Sequence, residues 1–350
     1  MKSNKYQIAI VGYGFAGGFH GELLKTLDMV DVAGVYDISK ERWDAAQEKG
    51  LNTFNTLEEL LADESIDIVI ISTPNYTHKD IAVKALRAGK NVICEKPVAL
   101  NCRQLQEMLD VANENGKLFV VHQNRRWDED FLAVKKIYDE KIIGNVFNIE
   151  SRVYGSWGIP GNWRKFKAYG GGMLFDWGVH LVDQITWLIN EKITSVFCRL
   201  SHITTDDVDD GFLLLLTFES SITALIEVGT FNSIRLPRWY ILADNGAAVI
   251  EDWEKNGKML KIKVKGSHDS NAVLTAAGIS RTMAPRSDDT VERLNIPDIH
   301  SDVRDFYRNV LDAIEGKAEI IVKNQQVMRN MKIIEAAFLS DKLNQVVKFE

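Results

Sequence analysis

The sequence predicts an α/β domain built on a parallel sheet, followed by an α+β domain with an open-faced, predominantly antiparallel sheet. Three observations lead to this prediction. The chain opens with a short apolar strand and a glycine-rich turn, strands and helices then alternate up to residue 121, and longer strands with hairpin signals follow. We place the boundary so that the first domain covers residues 1–123 and the second covers residues 124–350.

The first apolar strand ends in the motif Gly12-x-Gly14-x-x-Gly17. In a dinucleotide-binding turn, the first glycine allows a tight bend, the second lets the backbone approach a pyrophosphate, and the third lets the next helix pack on the strand. That helix offers free N–H groups to the phosphates. A second apolar strand ends in Asp37, at the spacing where a carboxylate contacts the adenosine ribose. The combination predicts a Rossmann domain that binds a dinucleotide, and a tight turn in another kind of α/β protein is the alternative.

The rest of the first domain is predicted from caps and breakers between apolar runs. Ser39 is a candidate helix cap, and Thr56 with Glu59 is a candidate capping box. Gly89 and Gly116 are candidate helix ends. Helices are predicted over 18–28, 40–49, 56–62, 79–88 and 101–115, and further strands over 51–54, 67–71, 91–94 and 117–121. Alternation at this spacing predicts a parallel sheet with right-handed crossovers.

The second domain is predicted from longer strands and turn signals. Asp244-Asn245-Gly246 is a strong hairpin signal with a strand on each side, and Glu219-Ser220-Ser221 is a further hairpin turn. Other strands are predicted over 145–154, 194–202, 211–218 and 222–230, helices over 128–140, 299–315 and 324–344, and irregular structure over 266–290. Because few helices remain to cover the sheet, we expect a homodimer or homotetramer to form through its open face.

Composition excludes several classes of protein. The 350 residues carry a net charge of −7 and no Lys/Arg stripe, which argues against nucleic-acid binding. No apolar run approaches the roughly 20 residues of a transmembrane helix. The three cysteines have neither disulfide nor zinc spacing, and the first strand begins too early to leave room for a signal peptide. These features predict a cytoplasmic protein with no bound metal.

Two loops at the carboxyl ends of strands carry groups that could act on a ligand, because ligands of a doubly wound sheet bind at these ends. Thr73-Pro74-Asn75 follows one strand, and Glu95-Lys96-Pro97 follows the next. The ammonium group of Lys96 could polarise a substrate oxygen beside a nicotinamide ring. On position alone, an ordinary surface lysine is the commoner interpretation.

Another group of candidates lies on one face of a predicted helix. Asp176, His180 and Asp183 are spaced i, i+4 and i+7 among apolar neighbours. A histidine suits a general base near neutral pH, and a carboxylate one turn away can orient it and hold up its pKa. A salt-bridged structural histidine and half of a metal site are the alternatives, although no third ligand is spaced nearby.

Weaker candidates complete the set. A polyol or sugar pocket could be lined by Arg125, Arg126, Trp163 and Arg164, with tryptophan in a core as the commoner interpretation. The acidic run 206–210 is expected to be a solvated turn, and Cys94 a core residue. The sequence identifies no partner for His20, His202, His268 or His300.

Taken together, these motifs resemble the Gfo/Idh/MocA family, named for glucose–fructose oxidoreductase and inositol dehydrogenase. The resemblance covers nearly the whole chain. It is carried by the glycine motif at 12–17, Thr73-Pro74-Asn75 with His78, Glu95-Lys96-Pro97, Asn124-Arg125-Arg126, and Gly170-Gly171-Gly172 through Asp176, His180 and Asp183. The Glu-Lys-Pro motif followed by Gly-Gly-x-x-x-Asp-x-Gly-x-His is specific to that family.

The resemblance implies an NAD(P)-dependent oxidoreductase that transfers hydride between nicotinamide and a hydroxyl or ketone of a sugar, sugar derivative or cyclitol. It implies that His180 takes the hydroxyl proton, Lys96 stabilises the alkoxide, and Asp176 orients the base. Substrate contacts are expected from Arg125, Trp163, Arg164, Asp176 and His180. Cofactor contacts are expected from Gly12, Tyr13, Gly14, Phe15, Ala16, Gly17, Asp37, Thr73, Pro74, Asn75, His78, Glu95 and Lys96.

Two details and two alternatives accompany this interpretation. Asp37 favours NAD because a carboxylate repels a 2′-phosphate, but the nearby Ser39, Lys40 and Arg42 leave NADP open. In the family the lysine–proline bond is often cis, which implies the same for Lys96–Pro97. One alternative is redox-assisted elimination or glycoside cleavage with tightly bound NAD. The other is a non-catalytic regulator that senses dinucleotides on the same fold.

Overall fold

The structure is a computed structural model, and it describes residues 5–161, 163–264, 272–280 and 286–349. The first part of the chain forms a five-stranded parallel sheet in the order β2-β1-β3-β4-β5. Its strands are β1 (Tyr6–Val11), β2 (Val30–Tyr36), β3 (Ile68–Ile71), β4 (Asn91–Cys94) and β5 (Phe119–Val121). Its helices are α1 (Phe15–Leu24), α2 (Lys40–Glu48), α3 (Leu57–Ala62), α4 (His78–Arg87) and α5 (Cys102–Glu114). The predicted doubly wound architecture is confirmed.

Several predicted local signals have the expected geometry. The hydroxyl of Thr56 accepts a hydrogen bond from the Glu59 N–H at 3.0 Å, although the Glu59 carboxylate bonds the N–H of Asn55 rather than that of Thr56. Gly89 and Gly116 have φ of 77° and 60°, the left-handed conformation in which glycine commonly ends a helix. The side chain of Ser39 precedes α2 but makes no capping bond, so that part of the prediction is wrong.

The strand predicted over 51–54 is absent from the described sheet. Only Thr53 forms a bridge to β2, opposite Val35. Two backbone bonds of 2.9 Å hold Val35 to Asn52 and Phe54. The helical turn that begins at Leu57 follows at once, so the segment leaves the sheet edge before a ladder can form.

The second part of the chain is built on a nine-stranded sheet in the order β15-β12-β11-β10-β6-β9-β8-β7-β16. Its neighbouring strands are antiparallel except β6 and β9. The strands are β6 (Val146–Tyr154), β7 (Ile193–Ser201), β8 (Gly211–Phe218), β9 (Thr223–Gly229), β10 (Trp239–Ala243), β11 (Gly246–Ile250), β12 (Gly257–Ile262), β15 (Val291–Leu294) and β16 (Val347–Lys348), with β13 (Val273–Thr275) and β14 (Gly278–Ser280) as a separate hairpin. The helices are α6 (Glu129–Asp139), α7 (Val179–Leu188), α8 (Arg304–Ile314) and α9 (Asn324–Leu343). The predicted antiparallel character is confirmed, and so is the hairpin at Asp244-Asn245-Gly246.

Two hydrophobic clusters lie behind these sheets, and the last helices connect them. Phe306 and Tyr307 of α8 pack into the cluster of the first sheet. Val327 and Met331 of α9 belong to that same cluster, whereas its later residues pack under the second sheet. The end of the chain therefore braces the first sheet against the second. The boundary between residues 123 and 124 stays a prediction.

The region predicted as irregular, 266–290, lies partly outside the described residues. Within it, β13 and β14 form a short exposed hairpin and 288–290 form a helical turn. Among the helices that the structure describes, none has the length and apolar character needed to cross a membrane.

Candidate active site

The glycine-rich turn follows β1 and opens α1. Gly12 has φ of 91°, and a Cβ there would lie 2.8 Å from the Thr73 side chain. A Cβ on Gly17 would lie 2.0 Å from the Gly12 carbonyl oxygen, so only glycine allows α1 to pack this closely. A Cβ on Gly14 would meet open space, which leaves the backbone there accessible to a ligand. The turn therefore has the form of a pyrophosphate cradle, as predicted.

Asp37 is held at the rim of this cradle by backbone groups. One carboxylate oxygen accepts the Tyr13 N–H at 2.7 Å, and the other accepts the Ser39 N–H at 2.8 Å. The Tyr13 side chain is buried, and the residue supports Asp37 through its backbone N–H. Each Asp37 oxygen retains a lone pair for a ribose hydroxyl.

A cleft of about 1060 Å³ extends from the glycine turn to the second sheet's helices. It brings together most of the predicted site: Gly12, Gly14, Phe15, Ala16, Asp37, Thr73, Pro74, Asn75, Glu95, Lys96, Arg125, Trp163, Arg164 and His180. Of the residues predicted to contact cofactor or substrate, four do not line it: Tyr13, Gly17, His78 and Asp176; the further candidates Arg126 and Asp183 do not line it either. The lysine from the first sheet and the histidine from α7 therefore share one cavity.

Lys96 follows β4, and its side chain reaches toward the second part of the chain. Its ammonium group lies 3.1 Å from the Asp176 carboxylate and 3.1 Å from the Asp176 carbonyl oxygen. The Lys96–Pro97 peptide bond is cis, as the resemblance implied. Arg164 contacts the other carboxylate oxygen of Asp176 at 3.1 Å. Burial alone would raise the pKa of Asp176, but these two cations hold it below its usual value.

His180 lies in the wall of the cleft with only 3% of its surface exposed. Burial lowers the pKa of this imidazole well below its usual value, and the charges of Lys96 and Arg125 lower it further. The expectation that Asp176 holds up this pKa is wrong. The Asp176 carboxylate is directed at Lys96 and Arg164, and no hydrogen bond joins it to His180 within the described ranges. His180 is therefore a neutral imidazole with an unpartnered Nδ1.

The helix predicted for this region is not uniform. A π-helical turn over Leu174–Gly178 precedes α7, so Asp176 and His180 lie on different kinds of helix. Such a turn carries an extra residue and changes where side chains point. Asp183 does not line the cleft. It pairs with Arg126 at 2.7 Å and accepts a hydrogen bond from Asn330 at 2.8 Å. The single polar stripe of the sequence is thus divided.

The helix that carries these residues is anchored by the acidic run 206–210. Asp209 is 2% exposed, and its carboxylate accepts the Leu174 N–H at 2.7 Å. Asp210 is 1% exposed and accepts bonds from Ser201 and Thr204. Burial raises the pKa of Asp209 to about 6. The expectation of a solvated turn is wrong for these two residues, because a free N–H at the start of the helical segment provides the partner of Asp209, and Ser201 and Thr204 provide those of Asp210.

Two predicted cofactor residues join loops instead. The His78 ring is buried, with Nδ1 3.1 Å from the Pro97 carbonyl and Nε2 2.8 Å from the Thr73 carbonyl. Backbone carbonyls thus face both ring nitrogens of His78, and its contact with the cofactor stays a prediction. Asn75 lines the cleft, but its amide donates to the Gly170 carbonyl at 2.8 Å. His78 thus joins two loops of the first part of the chain, and Asn75 joins the first part to the second.

The predicted arginines have different positions. The Arg125 guanidinium stacks on Trp177 at 4.3 Å, lies 5.1 Å from Trp253, and pairs with Asp128 at 3.0 Å. It lines the cleft, whereas Arg126 is buried in the pair with Asp183 and does not. Arg164 stacks on Trp163 at 4.5 Å. Arg125, Arg164 and Trp163 thus form a cationic and aromatic wall, as expected for a polar ligand.

The surroundings of Glu95 were not predicted from the sequence. Its carboxylate contacts His20 at 3.1 Å and His122 at 2.6 Å. These three residues could in principle hold a metal ion. The 2.6 Å separation is that of a hydrogen bond and is shorter than the roughly 3 Å between two ligands of a tetrahedral zinc ion. One signal was available, since His122 directly follows β5 at the carboxyl edge of the sheet.

Comparison with known proteins agrees with this geometry. Residues 6–123 match a family model described as GFO_IDH_MocA, an oxidoreductase family with an NAD-binding Rossmann fold, and residues 131–249 match the GFO/IDH/MocA C-terminal domain. The chain is 26% identical to scyllo-inositol 2-dehydrogenase (NADP(+)) IolW of Bacillus subtilis, over 100% of this chain and 97% of that protein. It is 32% identical to inositol 2-dehydrogenase of Salmonella typhimurium, over 63% of this chain and 66% of that protein.

A solved structure is also similar over the whole chain. An NAD-binding protein from Listeria innocua is 45% identical, covers 99% of this chain and 100% of its own, and superposes with a TM-score of 0.96. The predicted cofactor class is confirmed, because the matched Rossmann model is NAD-binding. With both of its domains matched, the chain belongs to the Gfo/Idh/MocA family of NAD-binding oxidoreductases.

Proposed function

We propose that this oxidoreductase acts on a secondary hydroxyl, or the corresponding ketone, of a sugar, sugar derivative or cyclitol. The observation that carries the proposal is the shared cleft in which Lys96, paired with Asp176, lines the same cavity as His180. The cationic and aromatic wall of Arg125, Trp163 and Arg164 supports a polar, hydroxylated substrate. The inositol dehydrogenases among the relatives support the same substrate class.

In this mechanism His180 is the general base for oxidation and the general acid for reduction. Its lowered pKa keeps the ring unprotonated at neutral pH, so it can accept the hydroxyl proton. Lys96 stabilises the negative charge that develops on the substrate oxygen. Asp176 acts through Lys96 and Arg164, which it holds at 3.1 Å each, rather than through His180. The nicotinamide cofactor supplies or accepts the hydride.

The cradle around Gly12, Gly14 and Asp37 fits the pyrophosphate and adenosine ribose of NAD. We propose a preference for NAD, because the Asp37 carboxylate would repel a 2′-phosphate. Ser39 and Arg42 also line this end of the cleft, and they are the groups through which NADP could be accommodated.

The test is a panel of inositols, aldoses and keto-sugars with NAD⁺, NADP⁺ and the reduced cofactors, followed by absorbance of the reduced nicotinamide. We expect turnover with one member of the panel and a loss of at least ~100-fold in Lys96→Ala, with cofactor affinity nearly unchanged. Lys79→Ala, at the surface of α4, is the matched control and should retain the rate. Substrate consumption without net cofactor reduction would instead support elimination, and cofactor binding without any turnover would support a regulator.

We also propose that the protein is a cytoplasmic homodimer or homotetramer that assembles through the open face of the nine-stranded sheet. Leu213 and Leu215 of β8 and Leu225 of β9 alternate with fully buried residues and remain only half-buried. Three free cysteines suit a reducing compartment. Light scattering should give a mass of two or four chains, and Leu215→Lys should reduce it; a monomeric wild type would contradict the assembly.

A further inference from the structure

A buried polar network lies behind the Glu95-Lys96-Pro97 loop, and the proposed mechanism does not use it. It joins the end of β4 to α1, to the residue after β5, and to α8. His20 and His122 both approach one oxygen of Glu95, at 3.1 and 2.6 Å. The other oxygen accepts the Lys96 N–H at 3.0 Å, and Tyr307 lies 2.5 Å from His20 Nδ1. The side chains of both histidines and of Tyr307 are at most 2% exposed.

The directions of these hydrogen bonds follow from the chemistry of each group. An ionised carboxylate only accepts, so His20 donates through Nε2 and His122 donates through Nδ1. The Nδ1 of a neutral His20 is then an acceptor, and it accepts from the Tyr307 hydroxyl. Burial lowers the pKa of His20, which favours this neutral form. Both nitrogens of His20 and Nδ1 of His122 then have a partner. Nε2 of His122 is buried without one among the described residues and needs no proton for hydrogen bonding, so the network has the charge of one carboxylate.

The Glu95 carboxylate is held by hydrogen-bond donors and not by the ammonium group of the adjacent Lys96. Burial would raise the pKa of Glu95, but the donors His122 and His20 hold it well below its usual value. The ammonium group of Lys96 is turned toward Asp176, 3.1 Å away, rather than toward Glu95. Glu95 and His122 nevertheless both line the cleft. A negative charge is thus maintained at the end of the cleft opposite the Asp37 rim.

We propose that Glu95, held by the positioning residues His20, His122 and Tyr307, makes the cleft favour the oxidised over the reduced nicotinamide cofactor. The inference rests on the proposed function, which places the nicotinamide beside Lys96. The oxidised ring carries a positive charge that the reduced ring lacks, so a nearby carboxylate stabilises one form and is nearly indifferent to the other. The network fixes the carboxylate by hydrogen bonds, while the ammonium group of Lys96 pairs with Asp176 instead.

The test measures binding rather than turnover. Dissociation constants for NAD⁺ and NADH, or for NADP⁺ and NADPH if these bind more tightly, are measured by calorimetry for the wild type and for Glu95→Gln. We expect Glu95→Gln to weaken binding of the oxidised form relative to the reduced form by about tenfold. Glu107→Gln is the matched control, since it removes the same charge from an exposed position on α5 and should leave the ratio unchanged.

Tyr307→Phe provides a second variant, because it removes a single hydroxyl that does not line the cleft. Without that donor Nδ1 of His20 loses its partner, so the ring is held less firmly in the orientation that donates to Glu95, and the ratio should shift in the same direction by two- to threefold. If the wild type binds both forms, and the ratio of their dissociation constants in each variant stays within twofold of the wild-type ratio, this inference alone is overturned. A wild type that binds neither form would overturn the proposed function and this inference together.

Discussion

Two ion pairs of one helical segment differ in how deeply their side chains are buried. Asp176 pairs with Lys96 at 3.1 Å, and these side chains are 14% and 17% exposed beside the cleft. Asp183 pairs with Arg126 at 2.7 Å, and these are 2% and 0% exposed. The first pair joins elements that meet over a ligand cavity. The second joins α7 to α9 through Asn330, in the interior.

The difference shows that a charged stripe can contain both a reactive and an architectural part. Partial exposure leaves Lys96 able to exchange a protein partner for a substrate oxygen, which a catalytic cation must do. A fully buried pair has no such freedom, because separating its charges leaves one of them without solvent or partner. Burial and partner identity, rather than spacing, distinguish the two roles.

The largest expected effect is on the buried pair. Asp183→Asn leaves the Arg126 guanidinium without a countercharge in the interior, and we expect the free energy of unfolding to fall by about 3–5 kcal/mol. Denaturant titration measures this. Asp139→Asn, in the exposed pair with Lys135, is the control and should cost less than about 1 kcal/mol. A loss for Asp183→Asn no larger than the control would remove the architectural role.

A comparable effect on rate, with little effect on folding, is expected at the cleft. His180→Ala should lower turnover by at least ~100-fold, because proton transfer loses its general base, while cofactor affinity changes little. Steady-state kinetics and cofactor titration measure the two quantities separately. His300→Ala, at an exposed histidine, is the control. Near-normal turnover in His180→Ala would show that another group moves the proton.

An intermediate effect is expected for the partly exposed Asp176–Lys96 pair beside the cleft. Asp176→Asn keeps a hydrogen-bond acceptor but removes the charge that directs Lys96 and Arg164, so we expect about a tenfold loss of turnover. The free energy of unfolding should fall by only about 1 kcal/mol, because water can reach these side chains. If stability fell as far as in Asp183→Asn, the contrast between the two pairs would be lost.

The smallest effect is a displacement of the pH profile. A base must be unprotonated to act, and the pKa of His180 is lowered by burial and then by Lys96 and Arg125. As pH falls, His180 therefore stays active below about 6.5, the usual imidazole value. The acidic limb of kcat/KM for oxidation should lie below that pH. A limb at or above it would contradict an imidazole in these surroundings.

The parts of the site that were predicted from sequence depend on local geometry. Gly12 and Gly17 tolerate no Cβ, and Asp37 directly follows a strand, so the positions of these residues can be predicted from their spacing along the chain. The relation between Lys96 and His180 was predicted only through the resemblance to a family, because no local rule brings residues 84 positions apart together. The assignment of Asp176 as the orienting partner of His180 failed, since its real partners, Lys96 and Arg164, belong to other segments.

By itself the sequence determined the parallel sheet, the phosphate-binding turn and the change to an antiparallel sheet, because apolar periodicity and glycine placement act over a few residues. Only the tertiary structure decided which charges are reactive. Asp176 lies in a π-helical turn and Asp183 in the α-helix after it. Glu95 is contacted by His20, 75 residues away along the chain, which in turn contacts Tyr307. Such contacts depend on desolvation and on distances between distant segments, and neither is encoded in the order of neighbouring residues.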